Sequence, residues 1–181
     1  MNVNPTKIPD VLVIEPKFLS DSRGFFMESF NHETYKNAGI DLPFIQDNHS
    51  GSKKGVLRGL HYQIKYSQGK LVQVIKGEVY DVVVDIRQTS PFFGQHVGVS
   101  LSEGNRKQIW VPPGFAHGFY VLSDWAEFIY KVTDIYAPQW ERTILWNDPF
   151  LNIDWPINED VGVIISEKDS LGMNFKDAEK F

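Results

Sequence analysis

The chain has 181 residues, 42% hydrophobic and 23% charged, a composition that builds a core and is not that of a disordered chain. A net charge of −5 with no basic stripe argues against nucleic acid as a partner, and the absence of cysteine excludes disulfides and thiolate metal or redox sites. No apolar run approaches the ~20 residues of a membrane span, and the opening MNVNPTKIPD has neither the basic nor the apolar region of a signal peptide, so a cytoplasmic location is expected.

In chain order, Val11 to Glu15 reads as a first strand ended by Pro16, and Asp21 to Gly24 as a turn leading into FFMESF. Asn31 is placed to cap a short helix over His32 to Ala38, closed by Gly39. Strands are then predicted at Phe44 to Asn48, Val56 to Gln63, Lys70 to Lys76, Glu78 to Ile86 and His96 to Leu101. Further strands follow at Gln108 to Val111, Gly118 to Leu122, Ala126 to Thr133 and Arg142 to Trp146. In the Glu78 to Ile86 run, Tyr80, Val82, Val84 and Ile86 fall on one face and Asp81, Val83 and Asp85 on the other. Lys76-Gly77 and Ser102 to Asn105 read as turns. The tail after Trp155 is irregular, with a last helical turn near Ser166 to Asp169. Many short strands between Gly/Pro turns predict one all-β domain spanning residues 1–181, a sandwich or barrel with small helical additions.

Two histidines sit in strand-like segments far apart in the chain, His61 in GVLRGLHYQ and His117 in WVPPGFAHGF. Histidine suits proton transfer near neutral pH, although a histidine in an apolar strand is more often a hydrogen-bonded core residue. The spacing Pro112-x-Gly114-x-x-His117 resembles the second motif of the cupins. The first cupin motif supplies His-x-His and a glutamate to a metal. Here Gln63 stands where the second histidine is expected, and Lys70 follows in the ligand region, so no metal is expected. A pocket with a carboxylate-held histidine, a cation and a tyrosine would suit proton abstraction α to a carbonyl.

DSRGFFMESF, QDNHS, GVLRGLHYQ, QGKLVQVIKGEVYDVVVDIR, SPFFG, WVPPGFAHGF, EFIYKVTDIYAP, ILWNDP, IDWP and ISEKD occur in this order along almost the whole chain. Together they resemble the dTDP-4-dehydrorhamnose 3,5-epimerase family. The resemblance implies a cupin-type jelly-roll barrel that works without metal or organic cofactor on a dTDP-4-keto-6-deoxy sugar. It implies His61 as the base, Asp169 as its orienting partner, Lys70 beside the enolate oxygen and Tyr130 as the acid on the opposite face. His117 would line the sugar pocket. Arg23, Glu28, Gln46, Asp47, Asn48, Arg58, Glu141 and Lys168 would bind the nucleotide and diphosphate, with Tyr136 and Phe26 as walls for thymine. A homodimer with exchanged N-terminal strands is a further implication. His49 receives no role.

Without the resemblance, Asp169 reads as a solvated charge near a helix cap, Lys70 and Arg58 as surface charges, and Tyr130 as a core tyrosine. Other functions to weigh are a 3- or 5-mono-epimerase of a related sugar nucleotide, a non-catalytic sugar-binding cupin and a metal-dependent cupin dioxygenase. One conflict carries its own expectation. Arg58 and His61 have opposite parity in a regular strand, so a shared site requires a bulge or sharp twist at Gly59.

Overall fold

The computed structural model describes all 181 residues. Thirteen strands dominate: β1 (Asn2–Pro5), β2 (Leu12–Glu15), β3 (Phe18–Asp21), β4 (Gly24–Met27), β5 (Gln46–Lys53), β6 (Leu57–Gln63), β7 (Lys70–Lys76), β8 (Glu78–Asp85), β9 (His96–Ser102), β10 (Gln108–Val111), β11 (Phe115–Val121), β12 (Trp125–Val132) and β13 (Glu141–Thr143). Two short helices, α1 (His32–Asn37) and α2 (Glu167–Ser170), complete the regular structure with one 3-10 turn at Pro138–Trp140. One sheet has the order β1-β2-β10-β7-β12-β5 and the other β13-β6-β11-β8-β9, while β3 and β4 form a separate hairpin. The chain passes repeatedly from one sheet to the other, as in a jelly roll.

The alternation read in the Glu78 to Ile86 run sets the layers. Val79 and Val83 pack between the sheets with Val72, Val74, Ile109, Phe119 and Phe128. Tyr80, Val82, Val84 and Ile86 face the other way, onto Leu57, Tyr120, Ile144, Leu151, Trp155 and Phe175. The five-stranded sheet is therefore covered on its outer face by the C-terminal segment. A third cluster lies beneath α1, where Tyr35 and Ile40 meet Ile14, Leu71 and Trp110 on the outside of the six-stranded sheet. Tyr80 apart, which is only partly buried, each of these side chains contributes roughly 1.5–3 kcal/mol of hydrophobic stabilisation.

The Lys76-Gly77 turn is real, but the strands it joins do not pair: it is a corner between sheets. Gly77 has φ +74, and a Cβ there would lie 2.1 Å from the Trp125 carbonyl oxygen. β1, which pairs with β2, escapes a pattern reading because three of its four residues are polar or proline and exposed, leaving Val3 as its one apolar side chain. The hairpin strands β3 and β4 escape it for the same reason, being exposed on both faces. The C-terminal segment is irregular as expected, yet firmly tied. Buried Asp148 accepts the Phe150 and Leu151 amides through Oδ1 at 2.9 and 3.0 Å and the Phe175 amide through Oδ2 at 2.7 Å. This fastening, with an isolated bridge from Val56 to Ile164, brings α2 against β6.

β6 carries the irregularity expected at Gly59. His61 is opposite His117, but Arg58 is opposite Phe119, so three steps on β6 match two on β11. Gly59 has φ +123, and a Cβ there would lie 2.5 Å from Gly118 Cα and 2.7 Å from the His117 carbonyl oxygen. Gly59→Ala is therefore expected to destabilise the protein by about 2–4 kcal/mol, through a left-handed backbone and a backbone clash that side-chain motion cannot relieve. Urea unfolding measures this; a loss below about 0.5 kcal/mol would mean that the bulge is not tightly packed.

Candidate active site

Side chains of β6, β7, β12 and β13 that point between the sheets meet at one end of the sandwich. His61, Gln63, Ser67, Gln68, Lys70, Phe115, Tyr130, Tyr136 and Glu141 line a cavity of about 100 Å³ with Tyr62. His61 is also a wall of an adjoining cavity of about 300 Å³ that includes Arg58, Ser166, Lys168 and Asp169.

His61 is half-buried, and its Nε2 lies 2.5 Å from Oδ1 of Asp169, whose side chain is only 4% exposed. Ser166 caps α2 by accepting the Asp169 amide at 3.1 Å, which orients the helix that carries the carboxylate. Burial opposes charge on Asp169, but hydrogen bonds from His61, the Gly59 amide and Ser166 outweigh it and hold the carboxyl below its usual range. The Gly59 bulge thus supplies an amide to the carboxylate that holds the histidine. With Nε2 committed to Asp169, Nδ1 is the basic nitrogen of the ring.

Lys70 enters the cavity from β7. Burial pushes its ammonium down to about 8, against the attraction of Asp81 and Glu141 and with the repulsion of Lys168. Tyr130 enters from β12, and burial raises its phenol, with Arg58 opposing and Glu141 adding to the rise. The group therefore stays protonated at neutral pH, as an acid must. Glu141 Oε2 accepts from Tyr136 at 3.0 Å and from Lys168 at 2.7 Å. Burial works against that carboxylate, but Lys168 holds it below its usual range.

Arg58 reaches across from β6 and donates from Nε and Nη2 to the Ser52 hydroxyl on β5, at 3.1 Å each. It shares a wall with His61, which the bulge makes compatible. Gln46 and Asn48 lie on the β5 face shared with Tyr130, and the Gln46 amide donates to Asn48 Oδ1 at 2.8 Å. Asp47 has the opposite parity. It faces outward and pairs with Lys131 at 3.0 Å, so the structure does not bring it to the cavity. His49 is outward too, 3.3 Å from Glu127.

His117 is a cross-strand neighbour of His61 but does not line the cavity. It is buried, with Nε2 2.9 Å from both carboxylate oxygens of Asp81 and its ring stacked on Phe128. Asp81, a carboxylate among the inward-facing valines of β8, lies outside the cavity but attracts the Lys70 ammonium. Gln63 is a loop anchor. Its amide donates to the Tyr66 and Ile135 carbonyls at 2.7 and 3.0 Å, and its oxygen accepts the Ala137 amide at 2.8 Å. No group of three or more His, Asp or Glu side chains is placed to hold a metal ion.

Arg23, Phe26 and Glu28 stand apart from all of this. The hairpin carries Arg23 beside Asp21 with 88% of its side chain exposed, and Phe26 is 69% exposed. Glu28 is exposed and accepts from Asn31 at 3.2 Å. Within one chain Arg23 and Phe26 line a groove that His61 does not share.

A jelly roll enclosing a carboxylate-held imidazole, a half-buried ammonium and a half-buried phenol defines an acid–base enzyme of the cupin type. Residues 5–177 match the sequence profile of the family described as dTDP-4-dehydrorhamnose 3,5-epimerase. The chain is 56% identical to the Shigella flexneri dTDP-4-dehydrorhamnose 3,5-epimerase over 183 residues, covering 100% of this chain and 99% of that one. A solved epimerase from Legionella pneumophila, in complex with dTDP-4-keto-L-rhamnose, superposes with a TM-score of 0.96 at 53% identity, over 98% of this chain and 94% of that one. A 3'-monoepimerase from Streptomyces bikiniensis, in complex with dTDP-quinovose, gives 0.88 at 33% identity, over 95% and 87%. The chain belongs to the dTDP-4-dehydrorhamnose 3,5-epimerase family.

Proposed function

We propose that this chain, as a single domain, converts dTDP-4-dehydro-6-deoxy-D-glucose to dTDP-4-dehydro-L-rhamnose by inverting C3 and C5, a step of rhamnose biosynthesis. The observation that carries this reading is the His61–Asp169 pair opening on the same cavity as Lys70 and Tyr130. His61 removes the proton from C3 or C5; the electron pair moves into the carbonyl and leaves an enolate oxygen at C4. The Lys70 ammonium stabilises that oxygen. Tyr130 delivers a proton to the opposite face of the same carbon, which inverts it; before the second centre reacts, His61 gives its proton to solvent and the Tyr130 phenolate takes one up from solvent. Asp169 fixes the imidazole and stabilises its charged form. Arg58 and Lys168, the cations at the mouth, suit the diphosphate, and Gln46 and Asn48 offer amides to the nucleotide. None of these steps calls for a metal or an organic cofactor.

The active unit is proposed to be a cytoplasmic homodimer. Arg23, Phe26 and Glu28 are the residue types that would hold a nucleotide diphosphate, yet they sit on an arm pointing away from their own cavity. An arm exchanged between two copies would place them over the partner's site.

Proton NMR of dTDP-4-keto-6-deoxyglucose with the protein in D₂O tests the chemistry. Loss of both H3 and H5 signals, with an L-sugar trapped by a reductase, is the expected result. Loss of one signal replaces the reading with mono-epimerisation, for which the S. bikiniensis neighbour is a precedent. No exchange at either carbon would leave a sugar-binding module. Tyr130→Phe is expected to keep exchange at C3 while slowing inversion at C5 by about 10-fold or more, since the base and the enolate site remain. Equal loss of both would assign the phenol to binding.

A further inference from the structure

The turn between β9 and β10 contains an arginine in a conformation that arginine resists. Arg106 has φ +52, in the left-handed region where a Cβ crowds the following carbonyl. Asn105 builds the turn around it, with Oδ1 accepting the Ser102 and Lys107 amides at 3.1 and 3.0 Å and Nδ2 donating to the Ser100 carbonyl at 2.9 Å. Glycine would satisfy this backbone better. What arginine adds is its guanidinium, which lies 3.9 Å from the centre of the Phe18 ring and 4.8 Å from that of Phe25. Those two rings, 5.3 Å apart, belong to the two strands of the β3–β4 hairpin.

The root of the same hairpin is held separately. The Ser29 carbonyl accepts from Tyr35 Oη at 3.1 Å and from the buried Gln108 amide at 2.8 Å. With its root pinned there and its flank pressed by Arg106, the arm has one direction, although its tip touches little.

We propose that Arg106 is a positioning residue for this arm, setting the direction in which it presents Arg23 and Phe26 to the nucleotide. The proposal rests on the reading that the arm completes a substrate site. Arg106 acts through Phe18 and Phe25 and touches no substrate. Arg106→Gly in the full-length protein removes the guanidinium and relieves the backbone at once, so it separates positioning from folding. The expected result is a KM for dTDP-4-keto-6-deoxyglucose raised about 10-fold, with kcat within about twofold and Tm unchanged or higher. Arg106→Lys, which keeps a cation on the rings, retains KM within about threefold of the parent. An unchanged KM in Arg106→Gly overturns the proposal, and so does a fall in Tm with kcat and KM both impaired, which is a folding effect. Phe26→Ala run alongside tests the underlying reading. A normal KM in that variant removes the arm from the site altogether; a raised KM there with a normal KM in Arg106→Gly removes only the role of Arg106.

Discussion

His61→Ala abolishes proton exchange at both C3 and C5 and lowers kcat by about 100-fold or more. The double loss follows from the geometry. One imidazole, fixed through Nε2 at 2.5 Å to Asp169, faces the cavity as the proposed base, and the second histidine is engaged by Asp81 outside it. Both carbons flank the same keto group, so one base serves each in turn. The substitution leaves Asp169 buried without its imidazole, though still bonded to the Gly59 amide, so a stability loss of about 1–3 kcal/mol is expected beside the kinetic one. Deuterium incorporation reads the chemistry independently of stability. A His61→Ala protein that still exchanges either H3 or H5 at a near-normal rate would show that another group is the base.

Lys70→Met should lower kcat by about 100- to 1,000-fold and at the same time stabilise the protein. The ammonium is pushed down to about 8 when folded, from an ordinary value of 10.5. Between those values the unfolded chain holds the extra proton, so stability of the parent rises with pH from about 8 to 10.5. Below about 8 the cost of the buried charge is fully present. Methionine removes that cost, on the order of 1–3 kcal/mol at pH 7, and the difference between the two proteins shrinks as pH approaches 10.5. Catalysis moves the opposite way: parent kcat falls as pH rises through about 8, because the enolate loses its cation. Urea midpoints and kcat measured from pH 6 to 10 test both limbs. Equal stability of the two proteins at pH 7, or activity retained by the variant, would place the lysine outside the reacting centre.

The parts of this architecture that were legible in the sequence are those with a physical period. β8 shows its two faces because both are buried, and the alternation of Val79, Asp81 and Val83 against Tyr80, Val82 and Val84 is undisturbed. β7 and β10 have the predicted bounds because glycine, proline or charge interrupts the apolar run at each end. The conflict between Arg58 and His61 was visible as a parity clash and pointed to Gly59, where the register slips. β1 and the hairpin were not legible because exposed strands carry no apolar alternation. Nor could periodicity place Asp169: its carboxylate meets His61 across 108 positions, through a tail held by Asp148 and by amides rather than by a regular element. Asp47 shows the reverse limit. It is flanked by Gln46 and Asn48, and the shared stretch suggested a shared role, but alternation sends it to the opposite face.

Gln63 gives the site an evolutionary lock. Its position is the one a metal-binding cupin fills with its second histidine, and here two of its three hydrogen bonds hold the segment from Ile135 to Ala137 that carries Tyr136, while the third holds the Tyr66 carbonyl. A histidine at 63 could gain a metal only by releasing that segment, and with it the aromatic wall and the Tyr136–Glu141–Lys168 chain at the pocket mouth. Metal chemistry and proton-shuttle chemistry therefore compete for one side chain, and a single substitution does not lead from one to the other through a working intermediate.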